Sequence, residues 1–136
     1  MKIVSIPLNP TVGDVESNGN QITAYIDQAI ELNGDIVIFP ELATIGYPPK
    51  DYLFHLDLLK KQAQLLMKLK RKSKKIAIVV GGFSKNTGPG QHFKNTVFVI
   101  QNGNQYSYHK QLLPTYDVFD ETRYYEPCLL YTSDAA

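Results

Sequence analysis

A glutamate follows an apolar run, Ile36-Val37-Ile38-Phe39-Pro40-Glu41-Leu42, and a lysine closes a second strand-like stretch, Tyr106-Ser107-Tyr108-His109-Lys110. A carboxylate at the C-terminal end of a buried strand stands where layered α/β sheets place ligands. Next to Phe39, Pro40 and Leu42, Glu41 is expected to be partly desolvated. Desolvation raises a carboxylate's proton affinity and makes it a better base near neutrality. The competing reading is a strand-end glutamate that caps a neighbouring backbone amide. Lys110 could stabilise a thiolate or an oxyanion, or it could be a solvated lysine ending a hairpin. Glu121, in Phe119-Asp120-Glu121-Thr122-Arg123, could hold the Lys110 ammonium by a charge-assisted hydrogen bond, or pair with Arg123 in a loop. Tyr47 and Tyr116 are candidates for lining a pocket, though each is one of nine tyrosines.

A base and a cation call for a nucleophile, and the chain has a single thiol, Cys128. A reactive thiolate needs a helix N-terminus, a cation or an adjacent base. The context Glu126-Pro127-Cys128-Leu129-Leu130 offers none, so Cys128 is read as non-catalytic. With one cysteine, and with His55, His92 and His109 at no ligand spacing, no zinc site is expected. Gly81-Gly82 and Gly88-Pro89-Gly90 lack the lysine and following helix of a phosphate loop. Gly81-Gly82 reads instead as a place where another backbone passes close.

These residues need a scaffold, and the hydrophobic pattern supplies one. Residues 2–8 read as a strand, and Asn9-Pro10 and Gly13-Asp14 as a loop. Ile22, Ile26, Ala29 and Ile30 recur at helical spacing over residues 17–32. Gly34 is expected to take the left-handed conformation that ends that helix. Residues 35–39 read as a strand, apolar in succession from Ile36, as in a strand buried on both faces. Leu58, Leu59, Leu65, Leu66 and Leu69 mark a second helix to about Lys72. Ile76-Ala77-Ile78-Val79-Val80 is a strand expected to end at Gly81-Gly82. Residues 95–100 and 105–109 flank Asn102-Gly103, a strong hairpin signal. The order is β-α-β-α-β-β-β, an α/β class chain.

Composition narrows the function. The net charge is +1, and 43% of residues are apolar and 20% charged, as in an ordinary soluble domain. Eight of the 14 basic residues fall at Lys60, Lys61, Lys68, Lys70, Arg71, Lys72, Lys74 and Lys75. No aromatic residue is interleaved with them, as a nucleic-acid stacking platform would need. They read as a solvated helix face whose last turn suits the macrodipole. No nucleic acid and no membrane partner is expected, since no apolar run approaches about 18 residues. The amino-terminal segment lacks a signal-peptide core, so a cytoplasmic location is expected.

Taken together, three segments resemble the nitrilase, or carbon–nitrogen hydrolase, superfamily: Phe39-Pro40-Glu41-Leu42, Gly46-Tyr47-Pro48-Pro49-Lys50-Asp51, and Tyr108-His109-Lys110-Gln111-Leu112-Leu113-Pro114. Gly46-Tyr47-Pro48-Pro49-Lys50-Asp51 followed by the stretch from Leu113 to Tyr125, with the opening Asn9-Pro10-Thr11-Val12-Gly13-Asp14, is more narrowly similar to the N-terminal glutaminase domains of glutamine-dependent NAD synthetases. The resemblance implies part of an α-β-β-α sandwich and a Glu-Lys-Cys triad. It makes Glu41 the general base, Lys110 the cation on the tetrahedral intermediate, Glu121 a supporting glutamate and Tyr116 a contact to glutamine. The family's cysteine lies some tens of residues beyond Lys110 and has no counterpart here, so the chain is expected to be inactive alone. Half a sandwich is expected to leave a sheet face uncovered. Residues 1–127 are then the first part of a glutaminase domain, and 128–136, similar to a string that recurs on unrelated reading frames, are expected to be foreign. No cofactor is expected in this chain; ATP and magnesium are implied for the synthetase domain, and a homo-oligomer for the whole protein. The rival expectations are a stand-alone ω-amidase and a non-catalytic partner-binding protein.

Overall fold

In a computed structural model that describes residues 1–113 and 124–127, excepting the side chains of Tyr52 and Leu56, one five-stranded sheet carries two helices. The elements are β1 (Ile3–Ser5), α1 (Val15–Glu31), β2 (Ile36–Ile38), a 3₁₀ turn (Lys50–Phe54), α2 (Leu56–Lys72), β3 (Ala77–Lys85), β4 (Phe93–Gln101) and β5 (Asn104–His109). Strands lie in sequence order. β1, β2 and β3 are parallel, and β4 and β5 add antiparallel. The β-α-β-α-β-β-β order read from the sequence is the observed one. Crossover helices join the parallel strands; the loop of residues 86–92 joins β3 to β4, and the two-residue turn Asn102-Gly103 joins β4 to β5.

Each helix is built from its own signals. Asp14 caps α1 by accepting from the Ser17 amide at 3.0 Å, which satisfies one orphan donor of the first turn. Its end is a Schellman motif: Gly34 N–H donates to Ala29 O and Asn33 N–H to Ile30 O, both at 2.9 Å. The left-handed residue is Asn33, at φ 58°, not Gly34 as expected. Asparagine tolerates this region, and Gly34 serves space instead, since a Cβ there would press on Val4 and the Ala29 carbonyl. α2 ends with Lys70, Arg71 and Lys72 in its last turn, where cations oppose the dipole.

The helices bury their apolar stripes on one sheet face. Ile22, Ile26 and Ala29 of α1 and Leu65, Leu66 and Leu69 of α2 pack with Val37, Ile78, Val80, Phe98 and Ile100. The other face carries the alternate positions Ile36, Ile38, Val79, Val97 and Val99, all half-buried, with Tyr106 and Tyr108 exposed. Among the described residues no element packs over this face, in keeping with the uncovered face expected of half a sandwich. A second cluster, including Val15, Leu42, Ile45, Phe83, Phe93 and Tyr125, lies at one end of the sheet.

β3 does not stop at Gly81-Gly82 as expected but runs on to Lys85. The pairing with β4 continues through Gly81↔Val97 and Gly82↔Thr96 to Lys85↔Phe93, so cross-strand bonds override the glycines' weak strand propensity. β1 is shorter than residues 2–8. Asn102 and Gly103 both have positive φ, 52° and 79°, the signature of a type I′ turn joining β4 to β5.

Candidate active site

Glu41 leaves β2 through a tight turn held from three sides. The Phe39 amide donates to Val79 O at 2.8 Å and the Thr44 amide to Gly81 O at 3.1 Å, so the turn is stitched across β3. A Cβ on Gly81 would overlap Leu42 N, Pro40 O and Glu41 C, which is the close backbone passage read from the glycine pair. Asn18 of α1 is fully buried; its Nδ2 donates to Thr11 O and Thr44 O, at 2.8 and 3.1 Å. Gln62 of α2 accepts from Thr44 Oγ1 at 2.8 Å and donates to Phe83 O at 2.6 Å. These amides are satisfied within the core, and they fix the turn rather than merely fill space. Leu42, fully buried, is held at φ 52°. A bulky side chain in the left-handed region costs about 1–3 kcal/mol and is kept only where the surroundings over-determine it.

Lys110 follows β5, and its amide donates to Asn95 O at 2.8 Å, one step past the Thr96↔His109 pair. Its Nζ donates to Glu41 Oε1 at 2.7 Å. Asn95 Nδ2 donates to the same oxygen at 2.6 Å. The sequence-predicted base and cation therefore meet across the open face, at a cavity of about 320 Å³ also lined by Phe39, Gly81, Val97 and Tyr108. The expected desolvation of Glu41 is not found. Its side chain is 45% exposed and that of Lys110 32%, because nothing described covers that face. An ion pair so exposed adds at most about 1 kcal/mol to stability; its interest is chemical.

The remaining expectations divide. Tyr47 packs against the second core cluster, away from the cavity. Glu121, Tyr116 and Cys128, and with Cys128 the whole segment 128–136, lie outside the described residues. His109 projects to the helix face, the opposite side from Glu41. There its Nδ1 lies 2.9 Å from Thr96 Oγ1, and burial, then the Lys94 charge, lowers its pKa from the usual 6.5. Among the described residues no group of three His, Cys, Asp or Glu could hold a metal, and no helix is long and apolar enough to cross a membrane. Asn95, which also bonds Glu41, is the residue at this pair that sequence reading did not single out. Its only signal is an amide side chain inside Phe93-Lys94-Asn95-Thr96-Val97-Phe98, on the face shared with Val97.

Residues 2–135 match the carbon-nitrogen hydrolase family. Glutamine-dependent NAD(+) synthetase of Acinetobacter baylyi is 35% identical over 127 residues, covering 93% of this chain and 23% of that protein. The Synechocystis synthetase is 37% identical over 124 residues, covering 87% of this chain and 22% of its own length. The glutamine-dependent NAD+ synthetase structure from Acinetobacter baumannii superposes with a TM-score of 0.85 at 29% identity, over 94% of this chain and 24% of that one. The chain thus spans less than a quarter of the length of these relatives.

Proposed function

The chain belongs to the carbon-nitrogen hydrolase family, and from that premise we infer that Glu41 and Lys110 are the base and the cation of an amide-hydrolysing site. The observation that carries this reading is the 2.7 Å contact between Lys110 Nζ and Glu41 Oε1 at one cavity. Glutamine is the amide, in keeping with the glutamine-dependent relatives.

The chemistry follows from the two groups. Glu41 takes the proton of an attacking thiol, and the thiolate adds to the side-chain carbonyl carbon. Lys110 stabilises the oxyanion that forms. Collapse breaks the C–N bond, and the proton held by Glu41 leaves with ammonia. Water, deprotonated by the same carboxylate, then releases glutamate from the thioester and restores the thiol. Glu121 supports Lys110, and Tyr116 contacts the substrate. In the whole protein the ammonia serves a synthetase domain that uses ATP and magnesium, in a cytoplasmic homo-oligomer. The one thiol here, Cys128, has neither base nor cation beside it in sequence. The attacking sulfur is therefore assigned to sequence outside these 136 residues, and the polypeptide by itself is inactive.

The test is ammonia release from glutamine. The purified chain releases none alone. Supplied in trans with the remainder of the Acinetobacter baylyi synthetase, it supports release that Glu41→Gln and Lys110→Met each abolish. Release untouched by both substitutions refutes the site. Turnover by the chain alone that disappears in Cys128→Ala refutes its inactivity.

A further inference from the structure

We propose that Asn95 is a positioning residue that selects which oxygen of Glu41 accepts the proton; the proposal rests on the reading of Glu41 as base. A carboxylate has about four lone-pair sites, two on each oxygen. Asn95 Nδ2, at 2.6 Å, and Lys110 Nζ, at 2.7 Å, both fall on Oε1. Oε1 is thereby filled. Oε2 accepts no hydrogen bond among the described residues, on a carboxylate that lines the cavity. A base needs one oxygen anchored and one open, and this arrangement provides both.

Asn95 is suited to the task in three ways. It is buried, 4% exposed, and sits in the middle of three paired strands opposite Phe83, so its amide cannot swing away. Its own carbonyl accepts from the Lys110 amide at 2.8 Å. One residue thus sets the height of the lysine through its main chain and the rotation of the glutamate through its side chain. Finally, the bond requires a donor. Aspartate would set a second carboxylate against Glu41, and serine would fall short of it.

Substitution separates the two functions, because alanine keeps the carbonyl and removes only the amide. The experiment uses the isotopically labelled 136-residue chain in solution. In the wild type, a scalar coupling across the hydrogen bond joins Asn95 Nδ2 to Glu41 Cδ, and the Asn95 amide protons move as Glu41 is protonated. In Asn95→Ala, the Lys110 backbone amide keeps its exchange protection within about twofold. Exchange of the Lys110 Nζ protons quickens by about tenfold or more, as the freed carboxylate samples other rotamers. Asn95→Leu keeps the branched shape without the donor and behaves as alanine does, which answers for any packing defect. An absent Asn95–Glu41 coupling, or unchanged Lys110 Nζ exchange in both variants, overturns the proposal while leaving the Glu41–Lys110 pair intact. Absence of any Glu41–Lys110 contact in the wild type overturns the underlying reading of the site instead.

Discussion

Replacing Gly81 with alanine should unseat the turn that carries Glu41. A Cβ there would overlap backbone atoms of Pro40, Glu41 and Leu42. Backbone cannot rotate aside as a side-chain tip can. The turn is also stitched to β3 on either side of the contact, by Phe39 N–H to Val79 O and Thr44 N–H to Gly81 O. Relief therefore means lifting the segment and losing one or both bonds. Overpacking costs about 1–3 kcal/mol and each lost bond about 1 kcal/mol, giving about 2–5 kcal/mol in all. With an m-value near 2 kcal/mol/M, that moves the urea midpoint down by about 1–2.5 M. Urea unfolding followed by circular dichroism at low micromolar concentration reads the shift. Gly88→Ala is the control, because a Cβ there meets only Asn86 Oδ1, at an ordinary 3.7 Å. It should stay within about 0.5 kcal/mol of wild type. If Gly81→Ala unfolds at the same urea concentration as Gly88→Ala, the Glu41 turn does not lie on β3, and the placement of the base is wrong.

Other outcomes follow from the same geometry. Lys110→Met should change the urea midpoint by less than the equivalent of about 1 kcal/mol, since the pair is exposed; a larger loss would make the pair structural. His109 has its pKa lowered by burial and by Lys94, with Ser84 and Thr96 as its other neighbours. Below its ordinary pKa of 6.5 the unfolded chain binds more protons there than the folded chain. Stability is therefore full above that pH and declines as pH falls toward the lowered value. Urea midpoints between about pH 7.5 and 5 should show this slope, and His109→Gln should flatten it. The open face should drive self-association that strengthens with salt. Tyr106→Lys, which sets a charge beside Val99, should lower light scattering at equal concentration.

Local signals carried most of this fold in the sequence, and long-range ones did not. The apolar run 36–39, the helical spacing of Ile22, Ile26 and Ala29, and the Asn102-Gly103 turn each act within a few residues, so pattern alone finds them. Element ends were misread where partners decide them. β3 outlasts its glycines because β4 pairs with it, and the turn after α1 uses Asn33 because Gly34 is needed for space. Glu41 and Lys110 were each open to a bland reading as strand-end charges, and the family resemblance of the segments around them singled them out. Asn95, Asn18 and Gln62 stayed hidden because a buried amide has no periodic signature, and its worth depends on which distant atom it meets. The exposure of Glu41 was misjudged for the same reason: Phe39 and Leu42 turn into the core while the carboxylate faces the open side of the sheet.

The site depends on contact between the residue 41 carboxylate and the residue 110 amine, 2.7 Å apart. Zero-length carbodiimide coupling, which joins only groups already in contact, tests it on the folded chain. Mass spectrometry of the digest should find an amide bond between Glu41 and Lys110, lost in Glu41→Gln. A Lys110 coupled only to other carboxylates, with Glu41 unmodified or joined elsewhere, would contradict it.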